Sequence, residues 1–158
     1  MARRRPHPRH PFASAAVPPS SFESQPKPLR SADQATRLID LAVSRPLAHE
    51  TICLFVDEGY LPLACIVVEG DQQPDDVLGV ADLLAQVALD HAALHVILVC
   101  CRPGHGFEPG DVQRWFGLDH LLSEAGLDLV EWFVRDEHTM VAVSALAGEP
   151  SRWPSNSG

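Results

Sequence analysis

Leu94–Cys101, LHVILVCC, is the most apolar run in the chain, and Arg102-Pro103-Gly104 ends it. Eight residues are too few for a typical helix, so the run predicts a strand in the centre of a sheet. Working outward, Pro103–Gly110 (PGHGFEPG) carries three glycines and two prolines and predicts a loop. Asp111 is positioned to cap a following helix, in which Val112, Trp115, Phe116 and Leu122 share a face and Gly126 is the stop. Leu127–Val134 and Met140–Leu146 predict two last strands joined by the turn Arg135–Thr139.

Upstream of the central run, Val77, Val80, Ala81, Leu84, Val87 and Ala88 repeat at helical spacing behind Asp75 or Asp76. Thr51–Val56 and Leu61–Val68 predict a hairpin, largely buried on both faces, around Asp57-Glu58-Gly59, with Gly59 free to take positive φ. Pro62 lacks a ladder donor, which puts the second strand at an edge or a bulge. Ser31-Ala-Asp-Gln34 reads as a capping box ahead of a helix with Ala35, Leu38, Ile39, Ala42 and Val43 on one face, ended by Arg45-Pro46. The order α-β-β-α-β-α-β-β predicts an α/β fold, a mixed sheet flanked by helices. Loops leaving a central strand toward a helix N-terminus are where such folds carry chemistry, which directs attention to Cys100–Gln113.

Charge divides the chain unevenly. Residues 1–30 hold six bases and one acid, net +5, whereas the remaining residues hold six bases and 20 acids, net −14. A uniformly basic nucleic-acid-binding domain is excluded. Seven prolines in residues 1–30 leave no room for a helix, so this arm is expected to be disordered. Its arginines offer an electrostatic tether to nucleic acid or to an acidic partner; the plainer reading is a solvated tail. No apolar segment follows Arg3–Arg5, so no export signal is read and a cytoplasmic protein is expected. Residues 31–146 form the expected domain and residues 147–158 a second disordered tail. No run approaches a membrane span. Cys53, Cys65, Cys100 and Cys101 lie in apolar runs without a CxxC, which predicts buried reduced thiols.

The core resembles the RadC-like family of the JAB/MPN metalloprotease clan. The likeness rests on the hairpin ending Ile66–Gly70 (IVVEG), the helix after Pro74, and Ala93–Pro103 (ALHVILVCCRP), where the family reads AAAVILVHNHP. It extends through Glu124–Val143 (EAGLDLVEWFVRDEHTMVAV), where the family reads approximately EAGELLGIRVLDHLIVGDGRYVSF. The resemblance implies a JAB/MPN, cytidine-deaminase-like architecture. In the family it implies a zinc hydrolase, with ligands from the two His of HxHP and the Asp of PSxxD, a Ser for the oxyanion and a hairpin Glu as base. Two imidazoles and a carboxylate leave one zinc position for a water, whose pKa the metal lowers.

In this chain the first His position is Cys100 and the second is Arg102, followed by the matching Pro103. Pro109 matches the second proline, but the Ser position is Gly110 and the Asp position is Gln113. The hairpin Glu falls near Ala64 or Cys65, neither of them a base. A permanent cation at Arg102 repels a metal ion. Trp132 stands where the family often has His, next to Glu131 in place of Asp, and is expected to fill core or a groove. The resemblance therefore implies a degenerate, non-catalytic member without a cofactor. Its role would be a protein-interaction or regulatory module, with an unidentified protein partner or a second copy of itself. Any link to DNA repair comes with the resemblance alone. The runner-up is a metal- or thiol-dependent hydrolase, of peptidase or isopeptidase type, with its site moved to Cys100, Arg102, His105 and Asp111. Zinc enters only there, and Cys101 beside Arg102 is the candidate thiolate with His105 as its base. A third reading is a nucleic-acid-associated protein acting through residues 1–30. GxSxG, GxxxxGK[ST] and the HxE and PCxxC of zinc deaminases do not occur.

Overall fold

Every residue of Val96–Cys101 is buried, as a central strand requires. The computed structural model describes residues 26–70 and 73–155. Their elements are α1 (Ala32–Asp40), β1 (Glu50–Val56), β2 (Pro62–Glu69), α2 (Asp76–Gly79), α3 (Ala81–His91), β3 (His95–Cys101), α4 (Asp111–Glu124), β4 (Asp128–Arg135), β5 (Met140–Ala142) and α5 (Val143–Leu146). The strands form one mixed sheet in the order β2-β1-β3-β4-β5. β1 is antiparallel to both β2 and β3, β3 and β4 run parallel, and β5 returns antiparallel to β4. The parallel pair is the one bridged by a helix, α4, as a crossover demands.

Side-chain alternation along β3 feeds two cores. Val96, Leu98 and Cys100 meet Leu84 of α3 and Trp115, Leu118 and Leu122 of α4 on one face. Ile97, Val99 and Cys101 meet Ala35 and Ile39 of α1 on the other. Each fully buried side chain of this size is worth roughly 1.5–3 kcal/mol over an exposed one, so the helices are held by these stripes more than by propensity.

Local signals act as their chemistry dictates at several ends. The Gln34 N–H donates to Ser31 Oγ at 3.3 Å, while the Gln34 side chain reaches back to the Arg30 N–H at 2.8 Å. Gly126 takes φ 78° after α4, and the Leu127 N–H donates to the Leu122 carbonyl. Pro62 opens β2, which is an edge strand, and the β1–β2 register slips at Phe55/Val56, so the edge and the bulge occur together.

Other expectations are corrected. α1 ends at Asp40, short of Arg45-Pro46, because Leu41 and Ala42 donate only three residues back, to Leu38 and Ile39. At the hairpin turn the positive φ belongs to Tyr60, at 64°, and not to Gly59. The Asp57 carboxylate accepts both the Gly59 and Leu61 N–H groups and fixes the chain that way. The single helix expected over Val77–Ala88 is two pieces, broken after Gly79, whose helix propensity is poor. Phe116 is 43 % exposed, so the buried stripe of α4 is Trp115, Leu118 and Leu122. The last strand is only Met140–Ala142, and Val143–Leu146 turns helical. The buried Glu131 carboxylate accepts both the N–H and the hydroxyl of Ser144, which draws the chain out of the extended form there.

The domain also reaches past its expected ends. Leu29 is buried and its N–H donates to the Tyr60 carbonyl at 2.9 Å. Residues 147–155 lie on the domain and do not leave it as a tail: Arg152 pairs with Asp119, donates to the Leu129 carbonyl and sits 5.2 Å over the Trp115 ring. Residues 1–25, with Arg3, Arg4, Arg5 and Arg9, on which the expected disorder and tethering fall, lie outside the described residues. Among the described residues, no helix is long and apolar enough to cross a membrane.

Candidate functional site

The loop between β3 and α4 closes over the carboxyl end of the central strand. Pro103 follows Arg102 and turns the chain out of the sheet, and Gly104 and Gly106 take φ 75° and 60°. At Gly106 the φ of 60° strains any other residue, and a Cβ there would lie 2.6 Å from Asp136 Oδ2, so that carboxylate would have to shift. The Gly104 N–H donates to Glu137 Oε2 at 2.9 Å, tying the loop to the β4–β5 turn.

Two buried charges organise the interior of this loop. Arg102 is 8 % exposed and Asp111 is fully buried. They form a two-pronged pair, Nη1–Oδ2 at 2.7 Å and Nη2–Oδ1 at 3.0 Å, and Arg102 Nη1 also donates to the Gly106 carbonyl at 3.4 Å. Asp111 further accepts the Glu108 N–H at 2.9 Å and Arg114 Nη1 at 3.0 Å. Arg114 spans outward to Glu108 at 2.6 Å and Asp75 at 2.7 Å, joining the loop to the start of α2. Burial alone would raise the Asp111 pKa; Arg102, the Glu108 N–H and Arg114 outweigh it and hold the carboxyl below its usual range. Burial pulls the other way on Arg114, whose hydrogen bonds to Asp75, Glu108 and Asp111 raise its pKa on balance. The site is thus a chain in which cations and anions alternate.

Asp111 is therefore not the helix cap that its position suggests. Gly110 is the N-cap and provides no side-chain bond, while Asp111 is the first helical residue and turns inward to Arg102. The sequence-selected residues divide as follows. Arg102 and Asp111 are brought together. Cys100 lies below them, its Sγ accepting Trp132 Nε1–H at 3.2 Å and lying 3.4 Å from Thr51 Oγ1. Burial raises the Cys100 pKa despite these bonds, so it remains a thiol. Cys101 faces the opposite core, and burial followed by the nearby Glu50 pushes its thiol up to about 12. That is the reverse of what a thiolate nucleophile beside Arg102 needs. His105 is exposed and pairs only loosely with His49, ring centres 6.3 Å apart. Gln113 is exposed on α4, and Gly110 is exposed at its start. Cys100, His105 and Asp111 do not converge as ligands: among the described residues, no group of three or more His, Cys, Asp or Glu has the geometry to hold a metal ion.

Two features of the site escaped sequence reasoning, the Glu108–Arg114 extension and the cleft beside the loop, whereas Trp132 fills core as expected. Glu108 and Arg114 complete the charge chain, and Arg114 stands three residues beyond Asp111, a helical spacing that offered a signal. Trp132 is fully buried and joins the core to the loop, with the Arg102 guanidinium carbon 6.0 Å from its ring centre. Beside the loop, an open cleft of about 630 Å³ is lined by Ser44, His49, Glu50, Glu69, Gly70 and Pro103. The buried Glu50 there accepts both the N–H and the hydroxyl of Ser44, at 2.7 and 2.8 Å.

Glu131 carries a pH signature. Burial raises its pKa, more than the Ser144 hydroxyl and the Trp132 and Ser144 N–H groups lower it. The folded state then holds the proton more tightly than the unfolded one. The resulting stabilisation is complete below the ordinary value of 4.5 and is lost as pH rises through the folded pKa. Glu131→Gln keeps an oxygen for Ser144 and removes the titration. Thermal melts at about pH 5 and about pH 7.5 are expected to converge in the variant relative to the parent chain. An unchanged difference would assign it to other groups.

Neither a protein-family model nor a curated protein matches this chain significantly.

Proposed function

We propose that this chain is a catalytically silent RadC-like domain of the JAB/MPN clan, with the cytidine-deaminase-like form of that architecture. In this reading it acts in the cytoplasm as a protein-interaction or regulatory module. The single observation that carries the reading is the buried Arg102–Asp111 pair. The resemblance assigns the Arg102 position to a metal-binding imidazole, and here it holds a guanidinium that Asp111 grips with both oxygens. The helix–hairpin–helix–strand–helix order around a parallel β3–β4 pair supports the fold half of the reading.

The residues present do not fit zinc. A guanidinium is never a ligand, Cys100 is a buried thiol bonded to Trp132, and Gln113 is exposed and carries no charge. Gly110 has no hydroxyl to steady an oxyanion.

Elemental analysis of untagged protein tests this directly. Zinc well below one per chain is expected after exposure to the metal and desalting, with no chelator-sensitive peptidase or isopeptidase activity. Stoichiometric zinc that is lost in Cys100→Ala or His105→Ala would overturn the reading in favour of a relocated metal site.

A further inference from the structure

The end of the sheet away from Arg102 holds a smaller pocket. It is open, has a volume of about 300 Å³, and is lined by Tyr60, His95, Asp128, Leu129, Val130 and Arg152. His95 opens β3 and Asp128 opens β4, and the two are register partners in the parallel pair. Tyr60 comes from the hairpin turn, where it holds φ 64°, a conformation that costs a bulky residue energy. Its ring stacks on His95, centres 4.5 Å apart and planes 21° from parallel. The Tyr60 hydroxyl donates to the Arg152 carbonyl at 3.0 Å, which fixes the aromatic pair against the C-terminal segment.

One polar atom in this wall is unsatisfied. His95 Nδ1 is buried and makes no hydrogen bond among the described residues. Asp128 Oδ2 lies 3.7 Å from it, beyond hydrogen-bond reach. A buried ring nitrogen without a bond is costly, and a neutral imidazole with its proton on Nε2 presents Nδ1 as an acceptor. A carboxylate oxygen and an acceptor nitrogen at this separation are spaced for a forked donor seated between them.

Charge selects a cation as that donor. Asp128 and Arg152 are the two charged lining residues. Arg152 is already committed: both its terminal nitrogens bond Asp119, one also bonds the Leu129 carbonyl, and the other lies 3.7 Å from Glu149. Asp128 is 70 % exposed, and its side chain pairs with nothing but His95 among the described residues. Just outside the pocket the turn adds Asp57 and Glu58, while the segment bonded to Tyr60 adds Lys27 and Arg30, so those charges balance.

We propose that this pocket binds the amidinium or guanidinium head of a small flat cation or of an arginine side chain. The forked N–H groups donate to His95 Nδ1 and the Asp128 carboxylate, and the plane of the head lies against the Tyr60–His95 pair, as such cations favour aromatic surfaces. The pocket is separate from the Arg102 loop, and its test is independent of the vestigial-site reading.

Titration of the full chain with benzamidinium chloride, followed by proton–nitrogen spectra, is expected to saturate with a Kd of about 1 mM or below and to move His95, Asp128 and Tyr60 together. N-acetyl-arginine methylamide is the second probe. Tighter binding of that probe assigns the pocket to an arginine side chain of a protein, and tighter binding of benzamidinium assigns it to a free ligand. Asp128→Asn changes an exposed position and is expected to weaken binding about tenfold. His95→Phe keeps a ring on Tyr60, removes the acceptor and is expected to do the same. Neutral benzamide should bind about tenfold more weakly than benzamidinium, and benzoate not at all. No saturation by either cation up to about 20 mM leaves Nδ1 to water and overturns the proposal. So does binding that both variants leave unchanged, or benzoate binding as tightly as benzamidinium.

Discussion

Arg102→Ala is expected to lower the unfolding free energy by about 3–5 kcal/mol, because it strands a carboxylate that has no access to water. Asp111 is fully buried, and Arg102 supplies two of its four hydrogen bonds. Arg114 and the Glu108 N–H remain in the variant and keep the cost from exceeding that range. Asp111→Asn tests the same pair from its other side: the shape persists, but two guanidinium groups then face a neutral amide. Replacing both partners, Arg102→Met with Asp111→Leu, should cost much less than either single change, since an apolar pair pays no desolvation penalty. Urea unfolding of the parent, Arg102→Met, Asp111→Leu and the double variant closes a double-mutant cycle. The pH dependence has a fixed sign. The folded Asp111 pKa lies below its ordinary value of 3.8, so the pair stabilises fully above that value and its contribution is lost as pH falls through the folded pKa. The unmodified chain should therefore lose this contribution only in strong acid. If Arg102→Ala unfolds at the same urea concentration as the parent, the pair is ornamental and the case for a filled vestigial site falls with it.

The sheet was readable because its signals are local. LHVILVCC is buried from Val96 through Cys101, the hairpin strands carry apolar runs, and Pro62 marks an edge through its missing donor. The misread elements are those decided across the sheet. Met140–Leu146 is apolar enough for a strand, but a carboxylate 13 residues earlier bonds Ser144 and ends the pairing. Asp111 has the right residue type and place for a cap, yet a partner nine residues away takes its oxygens, and no periodicity links positions 102 and 111. Arg152 sits among turn formers that read as tail, and its contacts to Asp119, Leu129 and Trp115 exist only once the fold has formed. At the candidate site, sequence showed which residue types were in place, while burial decided their chemistry. Cys101 beside Arg102 suggested an activated thiol, but strand alternation sends the two side chains to opposite faces.

Trp132→Ala is expected to be as costly as the charge substitution, about 3–5 kcal/mol, for a different reason. The indole is fully buried against the α4 side of the sheet, donates to Cys100 Sγ and lies beneath the Arg102 guanidinium. Truncation removes the packing, leaves Cys100 with Thr51 as its remaining bonded neighbour, and opens a void under the loop that the β3 backbone is too constrained to fill. Trp132→Phe separates the contributions. It keeps most of the apolar volume and deletes the N–H, so about 1 kcal/mol is expected from the lost hydrogen bond with a smaller packing defect added. Chemical denaturation with amide exchange checks both the size and the place of the effect. Protection should fall at Gly106 and Asp111 in Trp132→Ala, because the wall behind Arg102 is gone, while β1–β2 amides hold. Exchange that rises uniformly would mean that Trp132 is ordinary core. A selective loss at the loop would mean that the space beneath the β3–α4 turn is kept closed by an indole and a guanidinium stacked in series, the arrangement that makes this loop a filled interior and not an open site.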